Sequence, residues 1–226
     1  MIVAGIDGYG RGAWVAVVLK EGRFSRAIPG RSLAELLPLL DDVKVIGIDI
    51  PIGLPDGPQR RQADLLARQR LGRLASTVFL TPPRAVLEAT TFADANRIAI
   101  RLTGKGLSMQ AFGLRARIFE AEAFARADPR ICEAHPEVSF ATLNGGRPLA
   151  DSKASWVGVP LRRGLLAAAG IRLPDDLGEA NRVPVDDVLD AAAAAWSASR
   201  VAAGLAESLP NPPDVHSDGL ESAIRV

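Results

Sequence analysis

The sequence predicts a single α/β domain, residues 1–226, built around a mixed β-sheet with helices on its faces. Short apolar segments near the N-terminus, separated by glycine-rich turns, are typical of an antiparallel meander. Further along the chain, longer helical patterns alternate with short apolar strands, which is typical of an α/β fold. The chain has 226 residues, of which 48% are hydrophobic, so it can bury the core of one such domain.

The N-terminal part of the chain follows the order strand, strand, strand, helix, strand. The first three strands are predicted at 2–7, 13–20 and 23–28. A helix is predicted at 32–40, where Ser32 and Glu35 are spaced as in a capping box. The fourth strand is predicted in KVIGIDIPIGLPDG (44–57), whose β-branched residues run past Asp49 into a loop rich in proline and glycine.

The middle of the chain, from about 58 to 128, is predicted to be a helical insertion. Helical patterns cover 59–72, 91–104 and 107–128. After the insertion, the predicted elements are a short strand, two helices and a loop, within 130–137, 155–170, 184–206 and 210–214. The C-terminal residues 219–226 are predicted to form either a last strand or a loose tail.

The composition gives no general argument for a nucleic-acid partner and none for a membrane. Lysine and arginine number 27 and acidic residues 26, so the net charge is only +1. The single cysteine, Cys132, excludes a disulfide framework within the chain. The sequence opens directly on a strand-like segment, and no stretch approaches the roughly 18 apolar residues of a membrane span. We therefore expect a cytoplasmic protein with no membrane partner.

Asp49 is the first candidate functional residue, because it lies at the end of an apolar strand. An unpaired carboxylate there would cost several kcal/mol, so it needs a partner. Asp7 ends the first predicted strand in the same way. If the two strands are neighbours, both carboxylates lie side by side at one edge of the sheet.

The long helix predicted at 184–206 offers further carboxylates. Asp186, Asp187 and Asp190 lie in its first turns, and the spacing of Asp187 and Asp190 places them on one face. This face continues with small residues, which indicates close packing of the helix. Acidic residues also favour helix N-termini through the macrodipole, so a structural role for each aspartate is the alternative.

Convergence of these carboxylates would require a cation. Two unit charges ~4 Å apart repel by about 4 kcal/mol at an effective dielectric near 20. Mg²⁺ or Mn²⁺ suits a site made only of oxygen ligands. The predicted ligands of Mg²⁺ (or Mn²⁺) are Asp7, Asp49, Asp187 and Asp190. The competing explanation is an arginine partner for Asp49.

The segment CEAHPE (132–137) offers three more polar side chains, at Glu133, His135 and Glu137. Strand alternation would place all three on one face, where Glu133 would assist the acidic site. Alternatively, His135 and Pro136 begin a helix with Glu137 in its first turn. The sequence argues against a zinc site, because the chain holds no second pair of cysteine or histidine ligands beside Cys132 and His135.

Four basic residues are candidates for binding nucleic acid: Arg60, Arg61, Arg84 and Lys153. The arginines lie on or near the helix that follows the Asp49 loop, and arginine suits phosphate. The alternative is a solvated helix face and a surface lysine in an arginine-rich chain. Aromatic residues make up only 5% of the chain, so stacking platforms for single strands are scarce.

The order of elements resembles the RNase H-like superfamily, which has an acid at the end of the first strand, an acid in the fourth and aspartates opening a late helix. The stretch DVLDAAAAA (187–195) looks like the late helix of its Holliday-junction resolvase branch. More narrowly, the chain is similar to a bacterial and archaeal family of predicted RNase H-like nucleases, domain of unknown function 429 (DUF429). The stretches that match this family in order are GIDGYGRGAWVAVVL (5–19), IGIDIPIGLP (46–55), VFLTPPRAVL (78–87), LSMQAFGLRARIFE (107–120), CEAHPEVSFATLNGG (132–146), VDDVLDAAAAAWSA (185–198) and GLESAIRV (219–226).

The resemblance implies an RNase H-like fold with a five-stranded mixed sheet, and a metal-dependent nuclease that acts on RNA or DNA. It implies that Asp7, Asp49 and an aspartate of the late helix bind Mg²⁺ (or Mn²⁺). Within that helix Asp187 and Asp190 match the resolvase pair, and Glu133 would assist. Hydrolysis would use two metal ions, one to activate water and one to stabilise the leaving oxygen.

Three other functions are compatible with the same residues. An RNase H-like scaffold without activity could bind nucleic acid or a protein partner. The acidic site could instead hydrolyse a small phosphoester. The turn GYGRG (8–12) resembles the phosphate hairpin of actin-like ATPases, which share the fold, but those proteins need a second phosphate loop for which 226 residues leave little room.

Overall fold

A five-stranded mixed sheet forms the centre of the computed structural model, which describes residues 1–226. Its strands are β1 (Ile2–Tyr9), β2 (Ala13–Lys20), β3 (Arg23–Gly30), β4 (Val45–Ile48) and β5 (Ile131–Glu133). Their spatial order is β3-β2-β1-β4-β5. Strands β1, β2 and β3 form an antiparallel meander, whereas β4 runs parallel to β1 and β5 runs parallel to β4. The predicted five-stranded mixed sheet is confirmed.

Nine α-helices flank the sheet. They are α1 (Leu33–Leu36), α2 (Gln62–Leu71), α3 (Arg84–Leu87), α4 (Phe92–Thr103), α5 (Met109–Gly113), α6 (Arg115–Ala127), α7 (Pro136–Leu143), α8 (Gly158–Ala168) and α9 (Val185–Ala202). Three short 3-10 helices lie at Leu37–Leu40, Gly72–Thr77 and Gly178–Arg182. Helices α2 to α6 all lie between β4 and β5, in the region that the sequence predicts as a helical insertion at about 58–128. None of the helices combines the length and the apolar character that crossing a membrane requires.

The C-terminal residues form a second, two-stranded antiparallel sheet of β6 (Ser208–Val215) and β7 (Glu221–Arg225). The prediction of a loop at 210–214 was therefore wrong. Prolines are tolerated here because the pairing is irregular between Leu209 and Asp214, so their missing N–H groups interrupt no regular ladder. The alternative in which 219–226 forms a last strand is confirmed.

The segment 130–137 also differs from the prediction. Strand β5 ends at Glu133, and α7 begins at Pro136, so only the first half of the segment is a strand. Proline at the first helical position explains the change, because its fixed φ and missing N–H suit a helix start. His135 and Glu137 therefore do not continue a strand face from Glu133.

The two faces of the sheet carry separate apolar cores. Ala4 and Ile6 of β1 belong to the core on one face, together with Ile118 of α6. Val3 of β1 and Val17 of β2 belong to the core on the other face, which α9 covers. The alternation of side chains along β1 thus fixes which residues face α9.

Helix α9 lies directly on the backbone of β1 and β4. An ideal Cβ built on Gly5 would lie 2.0 Å from the backbone nitrogen of Ala195, and one built on Gly47 would lie 2.7 Å from the carbonyl oxygen of Ala194. The alanine run Ala191–Ala195 is fully buried in this contact. Glycine in the strands and alanine in the helix are needed, because any larger pair would push the helix away from the sheet.

Candidate metal centre

Asp7 and Asp49 lie side by side because β1 and β4 are parallel neighbours. In their register Gly5 is opposite Gly47, and the backbone N–H of Asp49 donates to the carbonyl oxygen of Ile6 at 2.9 Å. Alternate residues of a strand share a face, so each aspartate lies on the same face as the glycine two positions before it. Both carboxylates therefore face α9.

Asp190 of α9 completes a cluster of three carboxylates. It immediately precedes the buried alanine run, and its side chain is only 3% exposed. One oxygen from each of Asp7, Asp49 and Asp190 lies within 4.8 Å of the others. The Oδ1 atom of Asp190 is buried and has no hydrogen-bond partner. Three separate elements thus bring carboxylates to one point.

Burial and mutual repulsion raise the pKa values of all three carboxyl groups. Burial is the main cause of the raised pKa of Asp7, and the charges of Asp49 and Asp190 add to it. Burial, followed by the charge of Asp190, likewise raises the pKa of Asp49. Burial raises the pKa of Asp190 to about 6, although Lys153 opposes the rise. The ionised cluster therefore needs positive charge nearby.

Lys153 supplies one positive charge to the cluster. Its Nζ atom donates to Oδ2 of Asp190 and lies 3.8 Å from Oδ2 of Asp186. Burial opposes the charged ammonium, but the charge of Asp190, followed by those of Asp7 and Asp49, raises its pKa above the usual 10.5. Lys153, which the sequence suggests as a nucleic-acid contact, therefore lies inside the acidic cluster.

The residues of the cluster fit a hard divalent cation. Carboxylate oxygens are the ligands that Mg²⁺ and Mn²⁺ prefer. The unpartnered Oδ1 of Asp190 also fits, because buried polar atoms in proteins normally have a partner. Asp7, Asp49 and Asp190 are thus the residues that could hold such an ion.

Asp187 lies outside this cluster, although the sequence groups it with Asp190. It is about half-buried, and burial followed by the charge of Asp186 raises its pKa. The close contacts of Ala194 and Ala195 with the strands place Asp190 over the strand ends. Asp187 lies three residues, or about 4.5 Å of helix rise, further toward the N-terminus. A shared helix face therefore does not bring Asp187 into the cluster, although its charge still adds to the raised pKa of Asp7.

Glu133 lies beside the cluster but is held by its own partners. Its Oε2 accepts from Nη2 of Arg61 at 2.5 Å and from the backbone N–H of Ile52 at 2.8 Å, and its Oε1 accepts from Nη1 of Arg61 at 3.3 Å. Arg61 also donates to the carbonyl oxygen of Ile52 at 3.0 Å. The pair therefore fixes the segment that follows Asp49.

Arg61 lies in the protein core, so its side chain has no surface to offer a nucleic acid. It is 1% exposed, and besides Glu133 it contacts Asp64 at 2.9 Å and Ser222 at 2.8 Å. The neighbouring Arg60 is exposed. Of the two arginines predicted to bind nucleic acid on this surface, only Arg60 is therefore accessible.

Arg84 forms ion pairs with carboxylates of the same chain. Its Nη1 donates to Glu122 at 3.2 Å, and its Nη2 donates to Asp218 at 2.6 Å. Asp218 in turn accepts from the backbone N–H of Leu54 at 3.2 Å. Arg84 thus ties the loop after β4 to the C-terminal region, and its charge is balanced within the protein.

The cluster opens into a cavity of about 640 Å³ whose lining includes polar residues that sequence reasoning missed. Arg162 of α8 donates to Glu137 at 2.6 Å and to the carbonyl oxygen of Asp151 at 3.1 Å. Arg117 of α6 donates to the carbonyl oxygens of the β1–β2 turn, including Gly10 at 2.9 Å. No spacing in the sequence marks these arginines, because they come from helices far from the acids along the chain.

His135 also lines this cavity. Its Nδ1 atom is buried and has no hydrogen-bond partner. Burial lowers the pKa of His135 to about 4, so the imidazole is neutral near pH 7. A neutral ring can accept one hydrogen bond and donate another.

The fold and the cluster define an α/β protein with a buried carboxylate centre where two neighbouring parallel strands end beneath a helix. The family model described as protein of unknown function (DUF429) matches residues 5–215. The chain therefore belongs to the DUF429 family, as its sequence motifs predicted. Neither the curated proteins nor the solved structures contain a significant match to it.

Proposed function

We propose that this protein is a divalent-metal-dependent nuclease with an RNase H-like fold. The observation that supports this most directly is the carboxylate cluster itself. Asp7, Asp49 and Asp190 come from three elements, meet within 4.8 Å, and leave the buried Oδ1 of Asp190 without a protein partner. Such a cluster is costly to keep unless a cation binds it.

The arrangement of elements supports the RNase H-like part of the proposal. An antiparallel meander is followed by a helix and by a strand parallel to β1, with Asp7 near the end of β1 and Asp49 directly after β4. A late helix places a further acid against both. This is the pattern on which the resemblance to the superfamily rests.

The proposed ligands of Mg²⁺ or Mn²⁺ are Asp7, Asp49 and Asp190. When bound, the ion would supply an activated water and neutralise charge on the leaving oxygen. The chain itself orients the ligands: Asp7 accepts from the backbone N–H of Gly8 at 2.7 Å, and the Arg61–Glu133 pair holds the segment after Asp49. Lys153 adds positive charge on the cavity side, where a phosphate would lie.

The proposed substrate is RNA or DNA, but a small phosphodiester is a second candidate. A cavity of about 640 Å³ lies within the ~300–1,000 Å³ that small-molecule sites usually have. Of the four basic residues predicted to bind nucleic acid, only Arg60 has an exposed side chain without a carboxylate partner. These two observations are the reason that a small phosphodiester is kept as the second candidate.

The experiment is a hydrolysis screen with Mg²⁺ and with Mn²⁺, using RNA, single-stranded DNA, duplex DNA, four-way junctions and a chromogenic phosphodiester. Wild type is compared with Asp49→Asn, which removes one ligand charge and keeps the side-chain shape. Metal-dependent cleavage by wild type that falls at least a hundredfold in the variant supports the proposal. Cleavage of the chromogenic ester alone favours the small substrate. No cleavage of any substrate contradicts the proposal and favours a scaffold without activity.

A further inference from the structure

We infer that the centre is built for one divalent cation, and that the ammonium group of Lys153 takes the place of a second. This inference rests on the cation site proposed above and changes its stoichiometry. It differs from the two-metal hydrolysis that the family resemblance implies.

The two oxygens of Asp190 carry the first argument. Oδ2 accepts from Nζ of Lys153, whereas Oδ1 is buried and has no partner. A carboxylate that bridges two metal ions through both of its oxygens needs both of them free. In this structure Oδ2 of Asp190 already binds the ammonium group of Lys153, which is part of the chain.

The balance of charge gives the second argument. The three clustered carboxylates are negative, and Lys153 together with one divalent cation would neutralise them completely. A second divalent cation beside Lys153 would leave an excess of two positive charges, whereas without Lys153 the excess would be only one. Glu137, which also lines the cavity, adds no net charge, because its Oε1 accepts from the positively charged Arg162 at 2.6 Å, while its buried Oε2 has no partner.

The loop that carries Lys153 gives the third argument, because it is anchored. The carbonyl oxygen of Asp151 accepts from Arg162 at 3.1 Å, and the carbonyl oxygen of Ser152 accepts from Oγ of Ser155 at 2.8 Å. The lysine side chain is 38% exposed, yet its Nζ turns toward Asp190 and Asp186. The ammonium group of Lys153 thus lies within ion-pair distance of both carboxylates.

The experiment counts bound Mn²⁺ by isothermal titration calorimetry and by the loss of the free-ion signal in electron paramagnetic resonance. Wild type is compared with Lys153→Met, which keeps the apolar stem and removes the charge. The matched control is Lys44→Met, because Lys44 is exposed at the opposite end of β4 and its substitution changes the net charge equally. We expect one ion per chain in wild type and in Lys44→Met, and two in Lys153→Met.

Two ions in wild type, or one ion or none in Lys153→Met, would overturn the inference. Two ions in wild type overturn the inference even if Lys153→Met does not fold. These results are independent of catalysis. A wild-type protein that binds one ion but hydrolyses no phosphodiester contradicts the proposed function and leaves the inference standing. An active enzyme that binds two ions supports the proposed function and overturns the inference.

Discussion

Gly5 of β1 and Ala195 of α9 are in backbone contact, since a Cβ on Gly5 would lie 2.0 Å from the nitrogen of Ala195. This contact fixes how closely the helix approaches the strand. Asp7 follows Gly5 by two residues on β1, and Asp190 precedes Ala195 by five residues on α9. The same contact therefore also fixes the distance between the two carboxylates.

Gly5→Ala should therefore destabilise the protein by more than about 3 kcal/mol, at the upper end of overpacking effects, because the clash is with backbone and no side chain can move aside. Urea unfolding measures the change. The control is Gly164→Ala in α8, where a Cβ meets nothing within 4 Å and the glycine is exposed. That variant should be stabilised by about 0.5–1 kcal/mol. Equal stability of the two variants would contradict the close packing of α9.

Asp7→Asn should make the protein more stable in the absence of divalent cations. The substitution relieves repulsion from Asp49 and Asp190, and two charges ~4 Å apart repel by about 4 kcal/mol at an effective dielectric near 20. We expect a gain of at least about 1 kcal/mol, measured by thermal unfolding with EDTA, and loss of any stabilisation by Mg²⁺. If the variant instead unfolds, Asp7 is a structural residue with a favourable partner.

The stability of the metal-free protein should also depend on pH through Asp190. Its folded-state pKa of about 6 lies above the usual 3.8, chiefly because the group is buried. The folded state therefore binds more protons than the unfolded state between these values, and its stability falls as the pH rises through them. At about 1.4 kcal/mol per pH unit the loss is about 3 kcal/mol, and it is absent below pH ~4.

Urea unfolding of wild type and Asp190→Asn between pH 4 and pH 7.5, without divalent cations, measures this loss. The substitution also removes the charge of Asp190 that raises the pKa values of Asp7 and Asp49, so the difference between the two proteins reports Asp190 together with its effect on these neighbours. We expect the free energy of unfolding of Asp190→Asn to increase relative to that of wild type as the pH rises. A difference that stays constant over this range would show that Asp190 has an ordinary pKa.

Arg61 should be essential for folding, whereas its neighbour Arg60 should not. Arg61→Met leaves the buried Glu133 and Asp64 without their partner, and breaking a buried ion pair in this way costs about 3–5 kcal/mol. Arg60→Met removes the same charge from an exposed position and should change stability by less than about 0.5 kcal/mol. Circular dichroism during urea unfolding separates the two. Similar effects of both substitutions would contradict the buried network.

The sheet could be predicted from the sequence because its signals are local. Apolar runs separated by glycine-rich turns predicted β1 to β3. The predicted cap of α1 is also present, because Ser32 accepts from the backbone N–H of Glu35 at 3.2 Å. The strand β6 was missed because its prolines argue against a strand, and only its pairing with β7 allows it.

Part of the candidate site could also be predicted. Gly-Ile-Asp occurs at 5–7 within β1 and at 47–49 across the end of β4, and this repeat places each aspartate on the face that the helix covers. The separation of Asp190 from Asp187 required the packing of α9, which sequence periodicity does not resolve. Nothing in the sequence distinguishes the buried Arg61 from the exposed Arg60 or directs Lys153 to Asp190, because those contacts join residues that are distant along the chain.

A titration of thermal stability with Mg²⁺ and with Mn²⁺, on wild type and Asp49→Asn in parallel, tests the central claim most directly. The account predicts that the melting temperature of wild type rises with cation concentration, since binding only to the folded state stabilises it. The variant, which lacks one of the three clustered carboxylates, should show no rise at the same concentrations. The same melting curve for wild type with and without cations would contradict the metal centre, and the carboxylates would then belong to a scaffold in which Lys153 compensates only part of their charge.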